Sequence, residues 1–299
     1  MANDVKIDDP QTDVVFKYKT IRSIIGLIAL AIPWICIIAV WMAQDGKWLL
    51  PTSISVSYHL GAGDVFVGML AIVSAFLFAY NGHRYPNFTL FGKPRKVERI
   101  MAVMAGICAL GVALSPTSID KTWMDELANR GYILADFPSM SLDYIDANGF
   151  GECTEKKKNI YKCTLSKYPI TPDIHIICAV ILFLVLIGFC YNFIKRTGKK
   201  LEKLAVSKGD KVKIEETKSK IRWRRRFYWF SAVLMLLSGL LAAVAYFDVF
   251  GESVALYSVM IVEFGCLTGF GISWFVSGSG MLRGNDADEI KVTAELDTE

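Results

Sequence analysis

The chain has 299 residues, 53% hydrophobic, 12% aromatic and 21% charged, with a formal net charge of +4. That balance lies on the apolar side of soluble domains and argues against an ordinary globular enzyme, a disordered chain or a nucleic-acid-binding domain. It argues against a transmembrane barrel as well, because barrel strands alternate over about ten residues whereas the apolar residues here come in solid runs.

Residues 1–22 are polar and read as a short N-terminal segment. Six apolar windows follow, at 23–42, 65–80, 100–115, 175–193, 227–246 and 254–275, and together they hold one carboxylate, Glu263. A helix needs about 20 apolar residues to cross a hydrocarbon core, so six spans are expected. The two 16-residue windows borrow flanking residues such as Gly63, Asp64, Gly82 and Arg99, whose polar groups reach the interface. The first window is too long for a signal peptide and lacks a small-residue cleavage site; Pro33 is expected to bend it.

Charge sets the expected orientation. The two sides defined by alternate connections carry 25 and 8 Lys or Arg residues, and seven of the eight lie in one long loop that weighs little in topology. With the acids included, the richer side carries about +10 and the other about −5. The expected fold class is therefore all-α: a six-transmembrane helix bundle over 23–282, with both termini cytoplasmic. Its predicted parts are the cytoplasmic segment 1–22, an extracytoplasmic loop 116–174, a basic cytoplasmic loop 194–226 and an acidic cytoplasmic tail 283–299. Bacterial inner membrane, plasma membrane and endomembrane are not distinguished.

The first connection, 51–64, alternates serines with apolar residues and ends in Tyr58, His59 and Asp64. With His175 at the head of the fourth span, Ser53, Ser55, Tyr58, His59 and Asp64 make a candidate polar mouth on the outer side. Two imidazoles and a carboxylate are also the donor set for zinc, which makes His59, His175 and Asp64 a metal alternative. Capping competes with both readings: Asp64 stands where the N-cap of the second span belongs, and Thr171-Pro172-Asp173 reads as a helix start. Asn87-Phe88-Thr89 matches a glycosylation pattern but falls in a connection expected inside.

In the long third loop, Ser118 or Asp120 is expected to cap a short helix bearing Trp123 and Leu127. Cys153 and Cys163 bracket an eleven-residue segment there, and an oxidising compartment would join them in a disulfide worth about 2–3 kcal/mol. The other five cysteines lie in spans as small packing groups. The fourth loop ends in Arg222-Trp-Arg-Arg-Arg-Phe-Tyr-Trp229, the composition of an interfacial anchor, with anionic headgroups as the specific alternative. Ala102 with Gly106, Gly239 with Ala243, and Gly265 with Gly269 space small residues for close helix approach.

Glu263, tenth in its window, is expected about 14 Å from the outer end at 1.5 Å per residue. A carboxylate at that depth must be protonated, paired or hydrogen-bonded, and the mid-span Ser74 and Ser238 are its candidate partners. No P-loop, dinucleotide fingerprint, HExxH or CxxC motif occurs, so an enzymatic activity is left open.

Ser53-Ile-Ser55, Val65-Phe-Val-Gly68, Pro116 closing the third span, His175 with Ala179 and Phe183, and Glu263 together resemble the six-helix DRAM-like group of membrane proteins. That group includes autophagy modulators, proteins of GPI-lipid maturation and related uncharacterised bacterial proteins. The resemblance implies lipid handling or membrane organisation and supplies no catalytic residues; the long third loop and the basic fourth loop depart from it. The function expected is thus binding or organisation of lipid through the outer polar mouth. The alternatives are an accessory subunit docked on another membrane protein, or a metal-dependent hydrolase acting on a lipid. No cofactor is expected outside the zinc alternative, and the expected partners are membrane lipids, with another membrane protein as a further option and no nucleic acid.

Overall fold

A computed structural model describes residues 10–80, 89–90, 93–94, 97–115, 117–120, 154–157, 160–163, 171–206, 211–246 and 257–279. Six helices dominate: α1 Pro10–Ala43, α2 Gly63–Ala79, α3 Val97–Leu114, α4 Thr171–Val206, α5 Lys211–Tyr246 and α6 Ser258–Gly278. Five contain segments long and apolar enough to cross a membrane, and the chain is a multi-pass, apolar helical protein. The sixth, α2, is equally apolar but has 17 residues, which spans about 25 Å at 1.5 Å per residue.

Each helix packs against its neighbour in sequence, and α6 returns to lie along α1, closing a ring. The short connection from Val206 to Lys211 makes antiparallel neighbours of α4 and α5, while α3 and α4 pack together in spite of the long third loop between them. The start of α1, the ends of α2, α4 and α6 and the starts of α3 and α5 gather at one end, the basic end, where Arg22 reaches Ser277 and Arg196 approaches Glu98. The segment 51–60 and the start of α4 lie at the opposite end.

The polarity is inverted relative to a soluble bundle. Large apolar side chains cover the outside, among them Leu27, Ile38, Leu184, Leu236 and Leu240, while serines and charged groups are enclosed. Such a surface is stable only in an apolar solvent, since exposure to water costs about 25 cal/mol per Å². α6 is the most enclosed helix because it is flanked closely by both α1 and α5.

Glycine makes the α1–α6 approach possible. A Cβ on Gly26 would stand 2.7 Å from the Gly271 carbonyl oxygen and 2.8 Å from Phe275 Cα; one on Gly271 would stand 2.8 Å from the Gly26 carbonyl oxygen. The expected small-residue stripes divide. Gly106 seats the Phe78 ring, and Gly265 and Gly269 receive Ser238 and Met235 of α5, but Gly239 has open space around it and takes no part in packing. α1 runs unbroken through Pro33.

Two expectations change here. Residues 194–226 are largely not a loop: α4 continues to Val206 and α5 begins at Lys211, so both helices run on past their apolar parts as a basic hairpin. A small apolar contact, Leu204 with Ile221 and Leu201, holds the extension together. In the third loop, Ile119–Asp120 form a strand, β3, paired with β5 (Ile160–Cys163), so Asp120 is in a strand rather than at a helix start. β5 also pairs with β4 (Thr154–Lys157), and a two-residue pair, β1 (Thr89–Leu90) with β2 (Lys93–Pro94), lies between α2 and α3. Trp123, Leu127, Asn87, Pro116, Cys153 and the acidic tail lie outside the described residues.

Candidate functional site

At the end opposite the basic one, the segment after α1 turns back into the bundle. Asp45 and Gly46 have positive φ (53° and 78°), which reverses the chain after α1. Ser55–Leu60 then forms a 3₁₀ turn closed by Gly61 in the left-handed region (φ 85°). Thr52 to Ser57, His59 and Leu60 are all buried, so the expected mouth is filled by its own backbone.

Glu263 holds this plug. The Ile54 N–H donates to its Oε2 at 2.5 Å and the Ser55 hydroxyl donates to its Oε1 at 3.0 Å, with the Ser55 N–H as a further donor. A carboxylate thus satisfies the amides that a 3₁₀ turn leaves open at its start, as a side-chain cap does for an α-helix. The Ser53 hydroxyl accepts from the Val56 N–H at 3.0 Å and shares a hydrogen bond with Ser55 at 3.0 Å. Gln44 donates from the end of α1 to the Leu60 carbonyl at 3.2 Å.

The serines proposed as partners of Glu263 are engaged elsewhere: Ser74 donates to the Gly106 carbonyl at 2.7 Å and Ser238 to the Met235 carbonyl at 2.9 Å. Glu263 also lies nearer its helix start than expected. α6 begins at Ser258, which makes Glu263 its sixth residue, about 8 Å along the axis. That depth brings the carboxylate level with the plug.

His59 and His175 both face the end of α3. His59 Nε2 lies 2.9 Å from the Thr117 carbonyl oxygen, and His175 Nδ1 lies 2.7 Å from the Ser115 carbonyl oxygen. A carbonyl only accepts, so each of these nitrogens carries the hydrogen and is occupied as a donor. Tyr58 is half-buried, its ring edge-on to His59. Asp64 is exposed in the first turn of α2; the cap position is Ala62, and Asp64 serves the helix dipole instead. Among the described residues, no group of three His, Cys, Asp or Glu side chains is placed to hold a metal ion.

The basic end carries a second polar assembly that the sequence did not announce. Glu98, in the first turn of α3, has no exposed surface. Its Oε2 accepts from the Tyr80 hydroxyl at 2.7 Å and lies 3.8 Å from Arg22, while its Oε1 lies 4.0 Å from Arg196. Arg22 in turn donates to the Tyr80 hydroxyl oxygen, and to Ser277 at 3.1 Å. Its guanidinium sits over the rings of Tyr80 and Phe193, with centroids 5.0 and 5.7 Å away. Below it, Trp274 packs against Tyr80, Phe189, Phe193 and Phe270 at centroid distances of 4.9 to 6.2 Å. These aromatic faces supply attraction to the cation and fix the plane of its guanidinium.

Every residue of this assembly lies at or just beyond the end of a span, where charged residues are ordinarily read as topology signals. The one available sign was an acid, Glu98, set among five Lys or Arg within the connection 81–99. Beside it a partly open pocket of about 40 Å³ is lined by Arg22, Phe193, Arg196, Thr197, Lys200, Arg224, Tyr228 and Ser277.

Comparison with protein-family models, with curated proteins and with solved structures finds no match to this chain.

Proposed function

We propose that the chain is a six-span integral membrane protein, with α2 as the short sixth span and both termini cytoplasmic, that binds and organises anionic lipid. The lipid contact is assigned to the basic end, because Ser53 and Ser55 of the expected outer mouth hold the plug and His59 and His175 are engaged with the Thr117 and Ser115 carbonyls. The resemblance to the DRAM-like group of lipid-handling proteins belongs to the same proposal. So does a disulfide between Cys153 and Cys163: β4 starts one residue after Cys153 and β5 ends on Cys163, with Thr154 paired to Lys162.

The observation that carries the lipid reading is the collar where α4 and α5 leave their apolar parts. Lys195, Lys199, Arg222, Arg225 and Arg226 are exposed there, beside the exposed Trp223 and Trp229, and Arg226 stacks over the Trp223 ring at 5.0 Å. Indole rings settle at headgroup level, and each cation held near an anionic leaflet contributes about 1 kcal/mol at low salt. Five such residues favour a shell enriched in anionic lipid.

The test is fluorescence quenching in nanodiscs containing either brominated phosphatidylserine or brominated phosphatidylcholine as the minority lipid. Quenching of Trp223 and Trp229, isolated by comparison with a Trp223→Phe/Trp229→Phe chain, should be several-fold stronger with the anionic lipid and should weaken in 0.5 M salt. Equal quenching by the two lipids would refute the reading.

A further inference from the structure

We propose that the acidic tail, residues 283–299, docks on the basic collar of α4 and α5 and competes there with anionic lipid. The inference rests on the collar reading above and adds the partner that occupies the collar when the leaflet supplies no anion.

α6 delivers the tail to the end that carries the collar. Ser277, next to last in the helix, accepts from Arg22 at 3.1 Å and lines one pocket with Arg196 and Thr197 of α4 and Arg224 and Tyr228 of α5. Lys195 and Lys199 flank Arg196 and Thr197 in sequence, and Arg225 and Arg226 follow Arg224, so the collar is the outward face of the same two helices. A helix with its side chains is about 10–12 Å across. Asp286, seven residues after Ser279, can lie as far as about 23–25 Å from it at 3.3–3.6 Å per residue, enough to pass round either helix. The placement holds whichever way the bundle is oriented, because the chain leaves α6 at the basic end.

Charge supplies the complementarity. The tail carries six carboxylates against Arg283 and Lys291, a net of −4, and the collar presents five exposed cations, of which Arg222 shares Glu215 with Lys218. Guanidinium forks take carboxylates in bidentate fashion as readily as they take phosphates, so tail and headgroup are alternative ligands for the same side chains. Free charges are screened beyond about 8 Å at physiological ionic strength, and only an anion held close to the collar contributes. The tether meets that condition: a segment attached to α6 is present at an effective concentration in the millimolar range. In a neutral leaflet the tail therefore occupies the collar, and a rising fraction of anionic lipid displaces it. The tail sets the anionic fraction at which the lipid contact forms.

The experiment uses the full chain, one copy per nanodisc, with carbodiimide cross-linking read by mass spectrometry. In pure phosphatidylcholine, carboxylates of 286–299 should link to Lys195 or Lys199. Replacing about a third of the lipid with phosphatidylserine, or adding 0.5 M salt, should cut that yield about threefold or more. A second readout titrates brominated phosphatidylserine against quenching of Trp223 and Trp229. A chain carrying Asp286→Asn, Asp288→Asn, Glu289→Gln, Glu295→Gln, Asp297→Asn and Glu299→Gln should reach half-maximal quenching at about a third of the anionic fraction that the wild-type chain needs. Cross-links that are absent in pure phosphatidylcholine, or confined to Lys211, Lys218 and Lys220 farther out on the hairpin, would overturn the proposal. An unchanged midpoint in the neutralised chain would overturn it also, while leaving the lipid preference of the collar standing. Equal quenching by anionic and neutral lipid in both chains would instead refute the lipid reading itself, and the competition with it, whatever the cross-links show.

Discussion

Replacing Glu263 tests whether a carboxylate in α6 holds the plug at 51–60. Its two oxygens receive the Ile54 N–H at 2.5 Å and the Ser55 hydroxyl at 3.0 Å, and the Ser55 amide donates as well. Glu263→Leu is close in volume but accepts nothing, so three enclosed donors lose their partner. A buried donor left unsatisfied costs about 1–3 kcal/mol, and allowing the Ser55 hydroxyl to rotate toward another acceptor leaves about 3–5 kcal/mol for the whole change. Glu263→Gln keeps one acceptor oxygen for Ile54, and the Ser55 hydroxyl can reverse to accept from the new amide, which limits the cost to about 1–2 kcal/mol. The assay is hydrogen exchange across residues 53–60 in nanodiscs. Each 1.4 kcal/mol is a factor of ten, so protection at Ile54 to Val56 should fall by about two orders of magnitude or more in Glu263→Leu and by about one in Glu263→Gln. Equal exchange in the two variants, or unchanged protection in Glu263→Leu, would refute the assignment of Glu263 as the anchor of the plug.

Gly26→Ala places a methyl 2.7 Å from the Gly271 carbonyl oxygen, and only backbone movement relieves it, so a loss of about 2 kcal/mol or more in thermal stability is expected; Gly239→Ala, with open space around it, should be neutral or slightly stabilising. Tyr80→Phe removes the hydroxyl shared by Arg22 and the wholly enclosed Glu98, and should cost about 2–3 kcal/mol by calorimetry, while Glu98→Gln in the same background should add to that loss, because Arg22 and Arg196 then lose the carboxylate beside them. If Cys153 and Cys163 are joined, non-reducing digestion yields a single linked peptide that separates on reduction with a gain of about two mass units, and two free thiols in native membranes would overturn both the disulfide and the orientation that predicts it.

The sequence by itself determined the solvent, the helices and their order. Unbroken apolar runs of sixteen or more residues separated by polar connections admit one economical solution in a bilayer, and the alternating Lys and Arg count implies the same up-and-down order that the contacts display. It also singled out Glu263, because an acid inside an apolar window requires a partner. What it could not supply was the partner. Ile54 and Glu263 are 209 positions apart, and a helical window carries no information about which backbone amide a later helix will meet. Ser74 and Ser238, chosen for depth, proved to satisfy carbonyls of their own surroundings. Ser53, Ser55, Ser57 and His59 illustrate the same limit: a polar segment between two spans looks like a mouth whether its side chains face water or, as here, turn inward. The basic end was least visible, since Arg22, Glu98, Arg196, Lys200 and Arg224 each look like ordinary flanking charges. Only the packing of four helices brings them to one end of the bundle, and burial then turns topology signals into a charged cluster, because Coulomb interactions strengthen as water is excluded.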